Sequence, residues 1–515
     1  MSTRRICAWL VLIGNLIPGL AVAQSRTIEE RLAALEQRVA QLEKENHELR
    51  ARLGRPATDP ELPVVASTAG PAVPTVASVV PQPAPQPSPL PSSAPGSLAS
   101  PSPQVEKKAE TKTEAKSDRF QFGGQIRFRA EVRKNVGLNA QHPDVLDFVG
   151  QRIRFHVLGK LSDTVETFVE FQDSRLWGQE ASRASNERLT DLHQAYLQVN
   201  SFLMSGLALR AGRQELAYGA ERLIGALGWD NIGRSFDAVK LGYSSKGWWS
   251  DVFAAKVVDR RDTGRGDRDQ YLYGVYNQFF RHRPQRLEVY GILLRDGLRT
   301  PGEIGAQGQK ATEIMTFGLR SEGKVDPGIN YDLEFAGQFG HRGFDSHSAR
   351  ALTAKMYKTV EEKHQLRLGF EYDMATGDHD PHDGRSGEFV NLFPTNHQHY
   401  GYADLMGWRN MQDFRPMFTV MPARPVRFDV DYHRLYLLQA HGPWKNAGGA
   451  LLGFDPTGKS GTHVGDELDF TLWFPLHKHL KVLSGYALFV PGEFARKTLG
   501  PDNQHFVYLQ TTVDF

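Results

Sequence analysis

Two sets of charged residues with opposite signs lie on the same side of predicted β-strands. The alternation of residue types places one basic set inward on the early strands: Arg127, Arg129, Arg133, Arg152, Arg154, Lys160 and Arg210. It places an acidic set inward on later strands: Asp332, Glu334, Asp429, Asp431, Glu467 and Asp469. If the first and last strands are neighbours, the field between these walls would select charged or strongly dipolar solutes. In the alternative interpretation, the charges pair with one another and solvate a wide pore.

Few residues of the sequence are of types and spacings that could carry catalysis or hold a metal. His193 and Gln194 lie on a predicted strand, but no serine or acidic residue at a recognisable spacing completes a nucleophilic set. The stretch "GDHDPHDG" offers Asp378, Asp380, His382 and Asp383, yet it lacks the fixed spacing of known cation-binding loops, so a hydrated surface loop is favoured. We therefore predict no enzyme activity, no catalytic residue, no metal site and no cofactor.

The elements that must position the charged residues are strands, because apolar and polar residues alternate with period two after Asp118. In "RFQFGGQIRFRAEVR" the apolar face consists of Phe120, Phe122, Ile126, Phe128, Ala130 and Val132. About 18 such segments reach the length of about 9 to 11 residues that a tilted strand needs to cross a bilayer. Aromatic residues also collect at strand ends, as an interfacial girdle requires: Trp248, Trp249, Tyr271, Tyr273, Phe279 and Phe280.

A β-sandwich would show the same alternation. Whole strands with charged polar faces, together with the aromatic ends, favour a barrel in a membrane, where only closed backbone pairing is tolerated without a spanning helix. The sequence therefore predicts an all-β fold: a transmembrane antiparallel β-barrel of about 18 strands, preceded by a short N-terminal coiled coil and a proline-rich linker. Outer-membrane lipid would then be a partner of residues 119–515.

The chain ends on an apolar aromatic residue in phase with its last strand, "FVYLQTTVDF". Phe515 resembles the terminal aromatic residue of bacterial outer-membrane proteins, whose last strand pairs with the first and is recognised by the assembly machinery. We expect the segment "RFQFGGQIRF" to pair with "HFVYLQTTVDF" and close the barrel.

Residues 1–23 have the three regions of a secretory signal peptide: Arg4 and Arg5, an apolar run from Ile6 to Leu20, and "AVA" before Gln24. A membrane anchor is the alternative, but the run is broken by Asn15 and Pro18 and is too short to span a bilayer. The only cysteine, Cys7, lies in this segment, so the mature chain has no disulfide. The formal net charge of +2 gives no indication of nucleic-acid binding.

Residues 24–54 predict a periplasmic coiled coil. A heptad seam runs through Ile28, Leu32, Leu35, Val39, Leu42, Asn46, Leu49 and Leu53. Flanking charges of opposite sign would meet across a parallel partner, as for Arg31 and Glu36 or Arg38 and Glu43. Residues 28–53 are therefore a candidate surface for a homo-oligomer. A single amphipathic helix, or docking on another periplasmic protein, are the alternatives.

Residues 55–118 predict a disordered linker rich in proline and alanine. They hold 14 of the 29 prolines of the chain and cannot bury enough apolar area to fold. In polyproline conformation, at about 3.1 Å per residue, the segment would reach on the order of 200 Å. The coiled coil would then be tethered at a distance from the C-terminal domain.

Three stretches in residues 119–515 are similar to the alginate export family of outer-membrane barrels, in both order and spacing. They are "LRAGRQELAYGAERLIGALGWDNIGRSFDAVKLGY", "NLFPTNHQHYGYADLMGWRN" and "GYALFVPGEFARK". This resemblance implies a single-chain barrel in the outer membrane of a Gram-negative bacterium. It also implies that an anionic polysaccharide passes through a lumen lined with arginine.

Three functional hypotheses follow from the whole chain. The first is a channel for an anionic polysaccharide of alginate type or other charged solutes, with the N-terminal extension as a periplasmic tether. The second is a general or substrate-specific uptake porin. The third is an outer-membrane anchor whose coiled coil binds a periplasmic partner. We favour the first.

Overall fold

The computed structural model describes residues 119–141, 144–179, 190–259, 269–281, 283–300, 310–325, 328–380, 382–423 and 425–515. The predicted signal peptide, coiled coil and linker in residues 1–118 lie outside the described residues, so they stay predictions.

Eighteen long strands form the domain. Their bounds are β1 (Phe120–Lys134), β2 (Val145–Lys160), β3 (Val165–Leu176), β4 (Thr190–Asn200), β5 (Leu207–Gln214), β6 (Phe236–Ser244), β7 (Trp248–Val258), β8 (Gln270–Phe279), β9 (Arg286–Thr300), β10 (Lys310–Val325), β11 (Ile329–Arg342), β12 (Asp345–Glu361), β13 (Leu366–Ala375), β15 (Met411–Ala423), β16 (Val426–Tyr436), β19 (His463–Pro475), β20 (Leu480–Pro491) and β21 (Gln504–Asp514). Three short strands, β14 (Arg385–Ser386), β17 (Trp444–Lys445) and β18 (Leu451–Gly453), lie in the connections between them.

The eighteen strands form a closed antiparallel barrel. Each pairs with the long strand before it and the long strand after it, and β1 pairs with both β2 and β21. Gln125 lies opposite Asp514, and Phe515 continues the seam because its N–H donates to Gly124 O at 3.0 Å while its carbonyl accepts from Gly124 N at 2.9 Å. The predicted fold and the predicted pairing of first and last strands are both confirmed.

The connections alternate in length along the ring. One end carries short turns, such as residues 161–164 and 476–479, and the other end carries long loops, including residues 215–235, 376–410 and 437–462. Short turns are periplasmic and long loops extracellular in outer-membrane barrels. Both Phe120 and Phe515 therefore lie at the periplasmic end.

The outer face of the barrel is apolar and rich in aromatic side chains. Phe317 and Phe339 stack on neighbouring strands with ring centroids 5.3 Å apart, and both side chains are exposed on the outside. At the periplasmic end Trp248 stacks on Phe279 at 6.3 Å. Such a surface suits lipid chains flanked by an aromatic girdle.

The assignment of Trp249 to the girdle was wrong. Its ring packs inside the barrel, 5.8 Å from the ring of Tyr276, and its indole N–H donates to Gln278 Oε1 at 2.8 Å. Adjacent residues of a strand point to opposite faces, so Trp248 and Trp249 cannot both face lipid.

Two short helices occur among the described residues, the 3-10 helix Asn396–Gln398 and α1 (Glu493–Thr498). Within the part of the chain that the structure describes, no helix is long and apolar enough to cross a membrane.

The seam between β1 and β21 leaves no room for a side chain at Gly124. A Cβ there would lie 2.4 Å from the carbonyl oxygen of Arg154 and 2.5 Å from the ring of Phe515. We expect Gly124→Ala to lower the free energy of unfolding by about 1–3 kcal/mol, since backbone must shift to admit the methyl group. Urea unfolding of the refolded barrel, followed by tryptophan fluorescence, measures this effect.

Gly247→Ala is the matched control. This glycine lies in the β6–β7 turn, and a Cβ there would meet no atom within 4 Å. Equal unfolding curves for the two variants would contradict the tight packing at the seam.

Candidate functional site

Two extracellular loops fold into the barrel. We call residues 215–235, between β5 and β6, the first inner loop, and residues 376–410, between β13 and β15, the second inner loop. Trp229 of the first and Tyr400 of the second are completely buried, as are many inward residues of the surrounding strands. Both loops must find partners for backbone N–H and C=O groups that neither a sheet nor bulk water satisfies.

Arginines of the predicted basic wall bind the backbone of the first inner loop. Arg127 on β1 donates to Gly228 O at 2.8 Å and to Asp230 O at 2.7 Å. Arg152, on β2, donates to the same two carbonyl oxygens at 2.9 Å each. Four charge-assisted hydrogen bonds therefore hold one turn of the loop against the β1–β2 wall.

Arg129 adds an aromatic contact to this arrangement. Its guanidinium donates to Trp229 O at 2.6 Å and lies 3.8 Å from the centroid of the Trp229 ring. Its Nε donates to Glu131 Oε1 at 2.5 Å, so the buried charge has a carboxylate partner. Trp229 also stacks on His397 of the second inner loop, with centroids 4.3 Å apart.

Carboxylates of the predicted acidic wall bind the second inner loop. Glu467 Oε1 accepts from Ala403 N at 2.6 Å and Asp469 Oδ2 accepts from Tyr402 N at 3.1 Å. Arg133 completes the contact from β1, since it donates to Ala403 O at 2.9 Å and to Asp404 Oδ2 at 3.0 Å. The two walls therefore bind opposite ends of peptide dipoles, with arginines on carbonyl oxygens and carboxylates on N–H groups.

The two inner loops also bind each other. Backbone hydrogen bonds join Gly225 N to Phe393 O and Phe393 N to Leu223 O, both at 2.8 Å. These two bonds form a single parallel bridge between Ile224 and Phe393, and a third bond runs from Thr395 N to Glu221 O at 2.8 Å. The loops therefore form one unit within the lumen.

Arg222 connects the first inner loop to two strands, β11 and β13. Its guanidinium is completely buried and contacts Glu371 through Nη2, Asp373 through Nη1 at 3.2 Å and Glu334 through Nε at 3.9 Å. It also donates to Tyr400 Oη of the second inner loop at 3.0 Å. Among the described residues, removing this cation would take away the ion pairs of Asp373 and Glu334, whereas Glu371 would keep Lys355 at 3.0 Å and Arg415 at 3.3 Å.

The opposite side of the first inner loop packs on an apolar inner wall. Tyr218 of the loop stacks on Tyr276 of β8 with centroids 4.7 Å apart, and Tyr276 stacks on Tyr290 of β9 at 5.2 Å. Leu223 and Ile224 belong to the same buried cluster. The inner face of β7–β9 is therefore partly apolar, because it contacts a folded loop instead of water.

The remaining basic residues of the predicted set lie closer to the periplasmic end of the lumen or beside the first inner loop. Arg154 donates to Gln172 Oε1 at 2.7 Å and lies 3.2 Å from Glu215 Oε1. Arg210 donates to Gln198 Oε1 at 2.8 Å and lies over the Tyr196 ring. Lys160, near the periplasmic end, is half-buried.

The remaining acidic residues each have a nearby partner. Asp332 pairs with Arg320 at 2.8 Å and Asp431 with Arg415 at 2.9 Å. Asp429 pairs with Arg427 at 3.0 Å, while Glu334 accepts from Tyr290 Oη at 2.7 Å. Much of the charge inside the lumen is thus compensated locally.

The comparisons with known proteins agree with this architecture. The family model described as alginate export matches residues 118–508. The chain belongs to the alginate export family. It is a protein of the Gram-negative outer membrane and forms a channel, not an enzyme. No curated protein matches the chain.

Solved structures similar to this alginate export family barrel include two proteins from Pseudomonas aeruginosa. OccD3 (OpdP) has 11% identity and a TM-score of 0.50, with 76% of this chain and 91% of that chain covered. OccK8 (OprE) has 12% identity and a TM-score of 0.50, with 77% and 98% covered. At this level of identity the likeness shows the fold alone.

One group of possible metal ligands occurs among the described residues. Glu170, His193 and Glu215 each offer a ligand atom, and these atoms lie within 4.8 Å of one another. A bulge in β4 turns His193 inward beside Gln194, where its Nε2 lies 2.8 Å from Glu215 Oε1. Arg154 already lies 3.2 Å from Glu215 and 3.8 Å from Glu170, so a guanidinium compensates these carboxylates.

The "GDHDPHDG" stretch lies in the second inner loop and its carboxylates bind their own backbone. Asp378 accepts from Asp380 N at 3.2 Å, Asp380 from His382 N at 3.0 Å and Asp383 from Arg385 N at 2.8 Å. The His382 side chain is 82% exposed. These are the local turns typical of a hydrated loop.

Several residues of the site were missed at the sequence level. Arg222 and Trp229 lie within a quoted family stretch but carry no periodic signal, because they belong to a loop. Glu371 and Asp373 share the polar face of β13, and that alternation could have placed them inward with the predicted acids. Their partner Arg222 is far away in sequence and could not be identified from spacing.

We expect Arg222→Met to increase the conductance of the channel in planar bilayers. The substitution removes the ion pairs of Asp373 and Glu334 and the hydrogen bond to Tyr400. Breaking buried pairs of this kind costs about 3–5 kcal/mol, so the inner loops should spend more time displaced from the lumen. Single-channel recording of the purified protein measures this change, after a gel-shift assay has shown that the barrel is folded.

Arg213→Met is the control. Arg213 lies in β5, directly before the same loop, but it is partly exposed. Its ion pairs among the described residues are long, at 3.5 Å to Asp237 and 3.7 Å to Asp191. If Arg222→Met conducts like the control, Arg222 does not hold the loops in place.

Proposed function

We propose that this outer-membrane channel passes an anionic polysaccharide of alginate type, or other charged solutes, when the inner loops are displaced. The observation that carries the proposal is the set of hydrogen bonds from Arg127, Arg129 and Arg152 to three successive carbonyl oxygens. These guanidinium groups already bind oxygen atoms spaced along a chain. A carboxylate offers the same donors a stronger, charged acceptor.

Displacement of the first inner loop would expose these donors on one wall. A polyanion could then exchange one arginine contact for the next, so each site would bind it without trapping it. The carboxylates of β16 and β19 would repel the same polyanion and keep it against the basic wall. The mouth and lower lumen also retain partly accessible cations, Arg154, Lys160 and Arg210.

A general or substrate-specific uptake porin is the alternative transport function. The fold shared with OccD3 (OpdP) and OccK8 (OprE) favours no particular solute, since the identity is 11% and 12%. A porin would pass small solutes through a lumen that stays open. The two inner loops, bound to each other and to both walls, favour a channel that must open.

We further propose that the N-terminal extension tethers the channel to a periplasmic partner or to its own copies. The support is the heptad seam at Leu32, Leu35, Val39, Leu42, Asn46 and Leu49, followed by a linker of on the order of 200 Å. A coiled coil that only joined neighbouring barrels would not need that reach.

The transport proposal predicts an anion-selective current. In planar bilayers with a salt gradient, the reversal potential of the full-length mature protein should indicate selectivity for anions. Oligomers of alginate should block the current, and neutral sugars should not. Removing charge by Lys160→Gln with Arg210→Gln should reduce anion selectivity. Glu166→Gln, opposite Lys160 on the neighbouring strand, should increase it because it removes a negative charge.

A large current without selectivity or block would instead support a general porin. No current from folded protein, in both the wild type and the Arg222→Met variant, would favour the anchor hypothesis.

The tether is tested by deleting residues 24–118. A channel that works without its extension should conduct as the full-length protein does, while any coprecipitation of periplasmic proteins or barrel association should be lost. Unchanged association of the deleted protein would contradict the tether.

A further inference from the structure

A cavity of about 230 Å³ lies at the extracellular end of the barrel, outside the lumen contacts described above. The ends of β9, β10 and β11 form one side of it, and the second inner loop and β17 form the other. Its floor is apolar and buried, with Leu294, Ile314 and Phe389. Its rim is basic, with Arg342, Arg409 and Lys445 around the carboxylate of Glu388.

Two of the three cations share that carboxylate. Lys445 Nζ donates to both oxygens of Glu388, at 2.6 and 2.8 Å. Arg342 Nη1 lies 3.5 Å from Glu388 Oε2, and its side chain is 47% exposed at the opening. The other lining carboxylate, Asp296, accepts from the Gln270 amide at 2.7 Å and from Leu298 N at 2.9 Å.

Arg409 is the third cation. Its Nη2 makes one long hydrogen bond, 3.4 Å to Asn391 O, and within the described part of the chain its buried Nε has no hydrogen-bond partner.

Three cations against two carboxylates leave the cavity with one excess positive charge. Burial lowers the pKa of both Arg409 and Lys445, because a charge costs more here than in water. A bound anion would offset that cost.

We propose that this cavity is a binding site for one carboxylate group carried on a body the size of a sugar ring. The single excess charge favours a monoanion, and a guanidinium with unused donors binds a carboxylate in a fork geometry. The apolar floor suits the C–H face of a ring. The volume is below the roughly 300–1,000 Å³ of pockets for drug-sized ligands, so the site takes one ring and not a chain.

Two sources could supply such a ligand: a free small carboxylic acid, or one uronate residue of a polysaccharide at the channel mouth. The second source rests on the proposed function, whereas the site itself does not. In that case the cavity would hold a terminal residue on the extracellular side, apart from the arginines of the lumen.

Isothermal titration calorimetry on the full-length mature protein in detergent tests the site, because equilibrium binding needs no current. The probes are sodium galacturonate, sodium benzoate, an alginate tetramer, glucose and inorganic phosphate. We expect galacturonate to bind and glucose not to bind. Arg409→Gln should weaken binding about tenfold or more, since it removes a charged hydrogen-bond donor.

Arg385→Gln is the matched control, because Arg385 is an exposed arginine on the same side of the barrel and its loss should leave the affinity unchanged. Glu388→Gln provides a variant whose expected change in affinity is opposite to that of Arg409→Gln. It removes the carboxylate that competes for Lys445 and Arg342, and it should strengthen galacturonate binding several-fold. This variant keeps the test decisive if Arg409→Gln does not fold.

If galacturonate and the alginate tetramer bind more tightly than benzoate, the result supports a uronate residue as the ligand. If benzoate binds more tightly, the result supports a free carboxylic acid. Either order supports the site. Phosphate binding as tightly as galacturonate would overturn the assignment to a carboxylate. Equal affinities for wild type, Arg409→Gln and Glu388→Gln would overturn the site altogether, whatever the conductance experiments show.

Discussion

Backbone groups within hydrocarbon must pair with each other, and the architecture of this protein depends on that constraint. Eighteen strands satisfy it as a closed ring, sealed where Phe515 and Gly124 exchange hydrogen bonds at 3.0 and 2.9 Å. A ring of this size leaves a lumen that wall side chains alone do not fill. Two long loops occupy that space, and their own backbone groups then need partners too.

The charged inner walls supply those partners. Arg127 and Arg152 donate to carbonyl oxygens of the first inner loop, and Glu467 and Asp469 accept N–H groups of the second. The separation of basic and acidic residues on the barrel wall therefore holds the two inner loops in place, in addition to any electric field that it creates across the lumen. Each charge also avoids the cost of isolated burial, since most have a compensating ion or a peptide dipole.

Under the proposed function, a polyanion in the lumen would take over contacts that now hold the first inner loop. The first inner loop is held by hydrogen bonds on one side and by the stacking of Tyr218 on Tyr276 on the other. Carboxylates can replace carbonyl oxygens on the arginine side. No polyanion replaces the aromatic contact, so the β7–β9 side is where the first inner loop would remain attached as a hinge.

The sequence by itself determined the strands and predicted which charged residues face inward, because alternation along a strand depends only on adjacent residues. The closure was predicted from the resemblance of Phe515 to the terminal aromatic residue of outer-membrane proteins. The sequence also carried the family resemblance. Only the tertiary structure decided that Trp249 points inward, that Arg222 pairs with Glu371 and Asp373, and that arginines bind loop carbonyls. Those contacts join distant residues, 101 positions apart for Arg127 and Gly228, and loop conformation follows no period that spacing could reveal. The physical reason is that strand parity is local, whereas the filling of a wide lumen is a problem of long-range packing.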